Sequence, residues 1–252
     1  MPLSHWFQTL LQRFLPDAHT VQVLLIPIII VVTIAIVLAS WMKRRKNIRT
    51  PYTRKTFHFF IFSLAGIMQY YYGLHAVTLL GILVTIIILI TVMFFDTSSF
   101  YKALARETDA PHQKKFILFP LFATAIGGVI SNIFFPSMAY IGYFVGGWGD
   151  AVGEPVGSLW GKHKYSVPTL FGVKATRSIE GSAAVMLVSF CVSFVCLINY
   201  HPPFAYYNAL IASLVCGAGA ALIEAISSHG LDNLTIQVCA AGILQLYMYA
   251  IN

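Results

Sequence analysis

The chain has 252 residues, of which 58% are hydrophobic and only 10% charged, and its mean hydropathy is +0.76. These values exclude an ordinary soluble domain and leave a polytopic membrane protein, an all-α helical bundle whose chemistry must be done by the bundle itself. The formal net charge of +7 is mostly topology signal in the loops, so it asks for no nucleic-acid partner.

Residues 1–20 mix polar and aromatic side chains. Trp6, Phe7, Leu10, Leu11 and Phe14 fit one face of a short interfacial helix ending at Pro16, with a flexible segment as the alternative. Residues 21–252 read as one transmembrane catalytic domain. The first span, 21–42, is long enough to cross the hydrocarbon core, and no small-residue cleavage site follows it, so it reads as a retained helix. It runs into Lys43, Arg44, Arg45, Lys46 and Arg49, then Arg54 and Lys55. Further spans follow at 56–72, 75–95 and 116–135, a fifth after Pro136, and others at 179–198, 204–227 and 234–251. That makes about eight helices. Polar loops at 96–115 and 162–178 separate them.

Charge orients the bundle. Lys and Arg number seven in 43–55, four in 96–115 and four in 162–178, and the alternate loops carry none. Every basic loop therefore lies on one side, which the positive-inside rule makes cytoplasmic, with both termini opposite. The four cysteines fall within apolar spans without metal-ligand spacing and read as small packing residues.

The stretch GDAVGEPVGSLWG, residues 149–161, breaks the apolar monotony. Gly149, Gly153, Gly157 and Gly161 recur every four residues, a small-residue stripe on a helix that suits close backbone approach. Asp150, Glu154 and Ser158 form a polar stripe beside it. Glu180, Glu224 and the pair Asp232-Asn233 sit at the same ends of their spans. Arg54 and Lys55 share a helical face with His58. An acid facing lipid at mid-membrane costs on the order of 2.5–3.5 kcal/mol, so these groups must face one another or a water-filled cavity. Carboxylates beside Lys and Arg suit Mg²⁺ holding a polyphosphate. No P-loop, H-E-x-x-H pair, G-x-S-x-G elbow or kinase signature is present, which excludes a soluble-type nucleotide fold.

Four blocks, RKTFHFF at 54–60, GDAVGEPVGSLWGKHKY at 149–165, KATRSIEGSAA at 174–184 and HGLDNLTI at 229–236, resemble the CTP-dependent lipid kinases. That family includes dolichol, phytol and yeast-type diacylglycerol kinases and is related to phosphatidate cytidylyltransferases. The blocks occur in the family's order and cover roughly residues 50–240. Glu154 departs from the family pattern, whose members often carry Ala-Ser where this chain has Gly153-Glu154. The resemblance implies transfer of a phosphoryl group from CTP to a membrane-embedded alcohol (polyprenol or dolichol, phytol, or diacylglycerol) at the cytoplasmic face. It implies Asp150 and Asp232 as the Mg²⁺ ligands and Asp150, Glu180 and Asp232 as the catalytic acids, with Glu180 or Asp150 acting on the attacking hydroxyl. Arg54, Lys55, His58, Gly149, Gly153, Gly157, Lys162, Lys174, Arg177 and Asn233 would bind nucleotide and phosphate. The membrane would be the endoplasmic reticulum in a eukaryote or the plasma membrane in a prokaryote, and the glycine stripe offers a surface on which copies could pair.

Two other readings stand beside this one. A phosphatidate cytidylyltransferase also needs CTP, a metal and a lipid, but Asn233-Leu234-Thr235 stands where its pattern has a second acid. A transporter or lipid-binding protein with a buried ion site would spread its charges through the bilayer depth instead of gathering them at one interface.

Overall fold

The computed structural model describes residues 3–169, 175–228 and 230–251. An amphipathic helix α1 (Leu3–Phe14) precedes α2 (Ala18–Lys46), α3 (Thr50–Phe94), a short α4 (Ser99–Leu104) and a 3-10 turn (Glu107–Asp109). Then come α5 (Gln113–Phe134), α6 (Ala139–Trp160), strands β1 (Lys164–Val167) and β2 (Ala175–Ser178), and α7 (Ile179–Ile198), α8 (Tyr206–Ile226) and α9 (Asp232–Ile251). Among the described residues, six helices (α2, α3, α5, α7, α8 and α9) are long and apolar enough to cross a membrane by length and composition. The protein is an all-α integral membrane bundle apart from one small hairpin.

Helix α3 is two rods. Gly73 (φ 76°, ψ −164°) occupies a region open essentially only to glycine, and the chain reverses there. The reversal falls in the expected 71–75 turn. The second half returns to the starting end, so that Phe100 packs edge-on against Phe57 at 5.1 Å and Thr53 Oγ1 donates to the Ala103 carbonyl at 2.7 Å. The two halves of α3, together with α2 and α5 to α9, correspond to the eight spans expected. Helix α6, with its glycines and two acids, is the one not apolar enough to be recognised as a span by composition.

Polar contacts sort the bundle into two ends. At one, Lys43 pairs with Glu107, Tyr52 bonds Ser158 and Arg177 pairs with Asp232. At the other, Arg13 donates to the Asn132 carbonyl, His75 bonds Asp17 and Tyr70 donates to the Asn199 carbonyl. There Asp17 caps α2 through the Thr20 N–H, and that bond with the His75 contact holds its carboxyl down to about 2. All three basic segments lie at the first end.

Several boundaries differ from the sequence reading. Helix α3 begins at Thr50, not near 56, because Pro51 stands where its missing N–H costs nothing. Arg54 and Lys55 lie within its first two turns, on the helical face they were expected to share with His58. The 162–178 segment is not a plain loop: β1 and β2 pair antiparallel, Tyr165 opposite Arg177. The expected solvated loop at 96–115 carries α4 and a buried Asp109, whose carboxyl burial pushes up.

The glycine stripe of α6 is a packing surface. A methyl at Gly153 would stand 2.6 Å from Val185 Cγ2, and one at Gly149 or Gly157 would stand 2.9 Å from Ser189 Oγ or Ser178 Oγ. Gly181 of α7 faces back, so the two backbones approach closely, as small-residue helix pairs do. Gly149, Gly153 and Gly157, expected to admit either phosphate or a neighbouring helix, meet α7 on this face. The same packing takes the stripe away as a surface for a second copy. A Gly153→Leu substitution is expected to destabilise the protein by about 1–3 kcal/mol or more through overpacking. Gly81→Ala, whose added methyl meets nothing within 4 Å, is expected to change little. Thermal unfolding of both variants in detergent checks the contrast.

Candidate phosphate and lipid site

The polar stripe of α6 faces the first half of α3, and the two helices run antiparallel. Descending one while ascending the other matches their side chains turn by turn. Asp150 Oδ2 lies 2.5 Å from Lys55 Nζ and 3.4 Å from His58 Nε2. One turn on, Glu154 Oε2 lies 3.5 Å from both Lys55 Nζ and Arg54 Nη2. A further turn places Ser158 Oγ 3.1 Å from the Tyr52 hydroxyl. The i, i+4 repeat on one helix thus meets the i, i+3 repeat on the other, which is how helical neighbours align. Lys55 and Asp150 are almost fully buried, at 5% and 6% exposure.

A further cation comes from outside the expected set. Arg106, just after α4, donates from Nη2 to Glu154 Oε2 at 2.7 Å. Glu154 therefore gathers Arg54, Lys55 and Arg106, which explains why an acid is tolerated where the lipid-kinase pattern often has a small residue. In the sequence Arg106 is one basic residue of a basic loop, and nothing in its spacing marks it as reaching inward.

A second group adjoins the first. Arg177 on β2 bridges Glu224 (Nε to Oε1, 3.1 Å) and Asp232 (Nη2 to Oδ2, 3.1 Å). Ser182 donates to Glu224 Oε2 at 2.9 Å, and the Tyr165 hydroxyl lies 2.7 Å from Ser182 Oγ. The hairpin thereby holds Arg177 over the start of α9. Asn233, the next residue, donates to Thr124 Oγ1 of α5 at 3.2 Å. Arg54, Lys55, His58, Asp150, Asp232 and Asn233 together line the polar end of one cavity of about 450 Å³, whose other walls are mostly apolar side chains, chiefly of α3 and α5.

The structure brings together Arg54, Lys55, His58, Asp150, Arg177, Asp232 and Asn233 from the sequence-derived set. Glu180 is not among them. Its carboxylate is bonded to the His163 ring at 2.8 Å and to the His163 N–H, at the exposed edge of the hairpin, because it opens α7 on the solvent side. Lys162 is exposed beside it. Lys174 lies outside the described residues. At the site, Arg177 Nη1 is a buried donor with no hydrogen-bond partner among the described residues, and His58 Nε2 has only its 3.4 Å contact with Asp150.

No group of three or more metal-ligating side chains forms among the described residues. Asp150 and Asp232 stand in separate ion pairs, a donor set that suits a cation taking one or two carboxylates and completing its shell with water and substrate phosphates.

A protein named phytol kinase from Synechocystis sp. (strain ATCC 27184 / PCC 6803 / Kazusa) is 37% identical to this chain over 123 residues. The match takes in 48% of the chain and 50% of that protein, so the chain spans about half the length of the curated relative it matches. No family model matches the chain, and no solved structure does.

The Lys55–Asp150 pair generates a stability prediction. Lys55→Met is expected to cost about 3–5 kcal/mol, because it leaves a buried carboxylate without its closest cation. The double variant Lys55→Met/Asp150→Leu is expected to recover most of that loss. Unfolding temperatures of the two single variants and the double variant, measured in one detergent, check it.

Proposed function

We propose that the protein is a lipid kinase that transfers the γ-phosphoryl group of CTP to the hydroxyl of a long-chain alcohol held in the bilayer. The observation that carries the reading is the joining of one apolar cavity to a buried cluster of acids and bases. Arg54, Lys55, His58, Asp150 and Asp232 share one end of a cavity whose remaining walls are mostly apolar. The relative named phytol kinase supports the same chemistry, and the four sequence blocks support CTP as the donor.

Asp150 and Asp232 are the residues that would hold Mg²⁺. When bound, the metal would supply positive charge against the phosphate groups. Arg54, Lys55, Arg106 and Arg177 would then stand around the phosphate oxygens, with Arg177 Nη1 as a donor that has no partner among the described residues. Positioning and charge neutralisation supply most of the catalysis in phosphoryl transfer, so a strong base is not required. Of the two candidates for acting on the acceptor hydroxyl, Asp150 is favoured, since it lines the cavity whereas Glu180 is bonded to His163 outside it. The basic loops at this end support a cytoplasmic site, the side on which a soluble nucleotide would be available.

The test uses purified protein with Mg²⁺ and CTP labelled separately at the γ- and α-phosphates, offered lipid alcohols and phosphatidate. Label from the γ-position is expected on an alcohol, and chelating the metal is expected to abolish the transfer. Asp150→Asn and Asp232→Asn are each expected to lower kcat by roughly 100-fold or more. Glu180→Gln is expected to lower it far less. Label from the α-position on phosphatidate would make the protein a cytidylyltransferase. Absence of transfer from any nucleotide would favour a transporter or lipid-binding role.

A further inference from the structure

The cavity continues well beyond the charged cluster. It runs between the two halves of α3 and α5, from His58 and Asp232 to Phe14, Leu74 and Asn132 near the opposite end of the bundle. At 1.5 Å per residue, the stretch of α3 from His58 to the Gly73 turn gives it a length of roughly 20 Å. That is about two-thirds of the ~30 Å hydrocarbon core. A volume of about 450 Å³ drawn out over that length makes the cavity an elongated slot. The far end is closed by Phe14 of α1, which Arg13 ties to α5 by donating to the Asn132 carbonyl at 3.2 Å.

One wall is open to the side. Ile82 and Ile86 on the second half of α3 and Val129 on α5 line the cavity, yet are 40%, 48% and 42% exposed. Gly81 stands at the same opening, and a methyl built on it meets nothing within 4 Å. In a membrane helix such exposure is exposure to lipid. The slot therefore communicates with the bilayer between α3 and α5, while its charged end lies at the ion pairs.

We propose that this slot binds the single aliphatic chain of the acceptor alcohol, which enters sideways from the bilayer between the second half of α3 and α5. The occupant is fixed by its two ends. A polar, cation-rich head position adjoins an elongated tail position lined mostly by apolar side chains, which suits an amphiphile with a long chain. A chain of phytol's length is enclosed, and a longer polyprenol leaves its distal units in the lipid through the side opening. The proposal rests on the lipid-kinase reading for its choice of an alcohol as the head group.

The experiment uses the full chain in lipid nanodiscs with a phytol analogue carrying a diazirine at the chain terminus. Photolabelled peptides are mapped by mass spectrometry, and phosphorylation is measured with phytol, a short water-soluble prenyl alcohol and diacylglycerol. Label is expected on segments 74–88 and 116–132. Gly81→Phe and Ala125→Phe, both at the opening, are expected to cut labelling and to lower the phytol-to-short-alcohol ratio of kcat/KM at least tenfold. Unfolding temperatures confirm that both variants are folded. Phosphate transfer with label elsewhere, an unchanged ratio in both variants, or diacylglycerol used as well as phytol, overturns the slot and leaves the kinase reading standing. Label in the slot without transfer to any alcohol supports the slot as an amphiphile site and removes the kinase reading.

Discussion

The ion pairing between α6 and the first half of α3 is the constraint on which the rest depends. Carboxylates at this depth have no water to face, so each must find a cation or move the helix that carries it. Asp150 and Glu154 are one turn apart and meet Lys55, His58 and Arg54 with the same vertical offset. A slip of either helix by one residue would unpair both acids at once. The pairing thus fixes the register of two helices that apolar packing alone would leave free to slide. Glu154 then draws in Arg106 and anchors the α4 segment over the site.

Helix α6 divides two tasks between adjacent faces. Its glycines let α7 come close, and the residues one position further on carry the charge. Close packing against α7 in turn sets Ser178, the α7 cap, and with it the hairpin strand that holds Arg177 above Asp232. The glycine stripe therefore reaches the chemistry indirectly, by placing the element that bears Arg177.

Much of this was legible in the sequence. The spans followed from apolar length, the reversal at Gly73 from the break at 71–75, and the common level of the acids from their places at the helix ends. The polar stripe was visible as a four-residue period, and its partners as Arg54, Lys55 and His58. What escaped had a common cause. Glycine spacing says that something approaches closely but not what, and the neighbour the fold supplies is α7. Glu180 shares the level of the site, but its position around α7 turns it toward His163, and one sequence does not give helix rotation. Arg106 and the β hairpin lie in segments where basic residues already had a sufficient explanation as topology signals. The cavity is made by the space between helices and leaves no periodic trace.

The charge balance of the site bears on why a metal belongs in the proposal. Asp150, Glu154, Glu224 and Asp232 face Arg54, Lys55, Arg106 and Arg177, four acids against four bases. A site so balanced is stable as it stands, because every buried charge has its counter-charge. It is not attractive to a triphosphate, whose arrival would leave several negative charges in a low-dielectric setting. In the proposed kinase, Asp150 and Asp232 would hold a divalent cation in place of Lys55 and Arg177, and its charge would answer that excess. The displaced Lys55 and Arg177 would then be free to turn toward phosphate oxygens without leaving the cluster. In that proposal the ion pairs that hold the helices in register would exchange partners when the nucleotide binds.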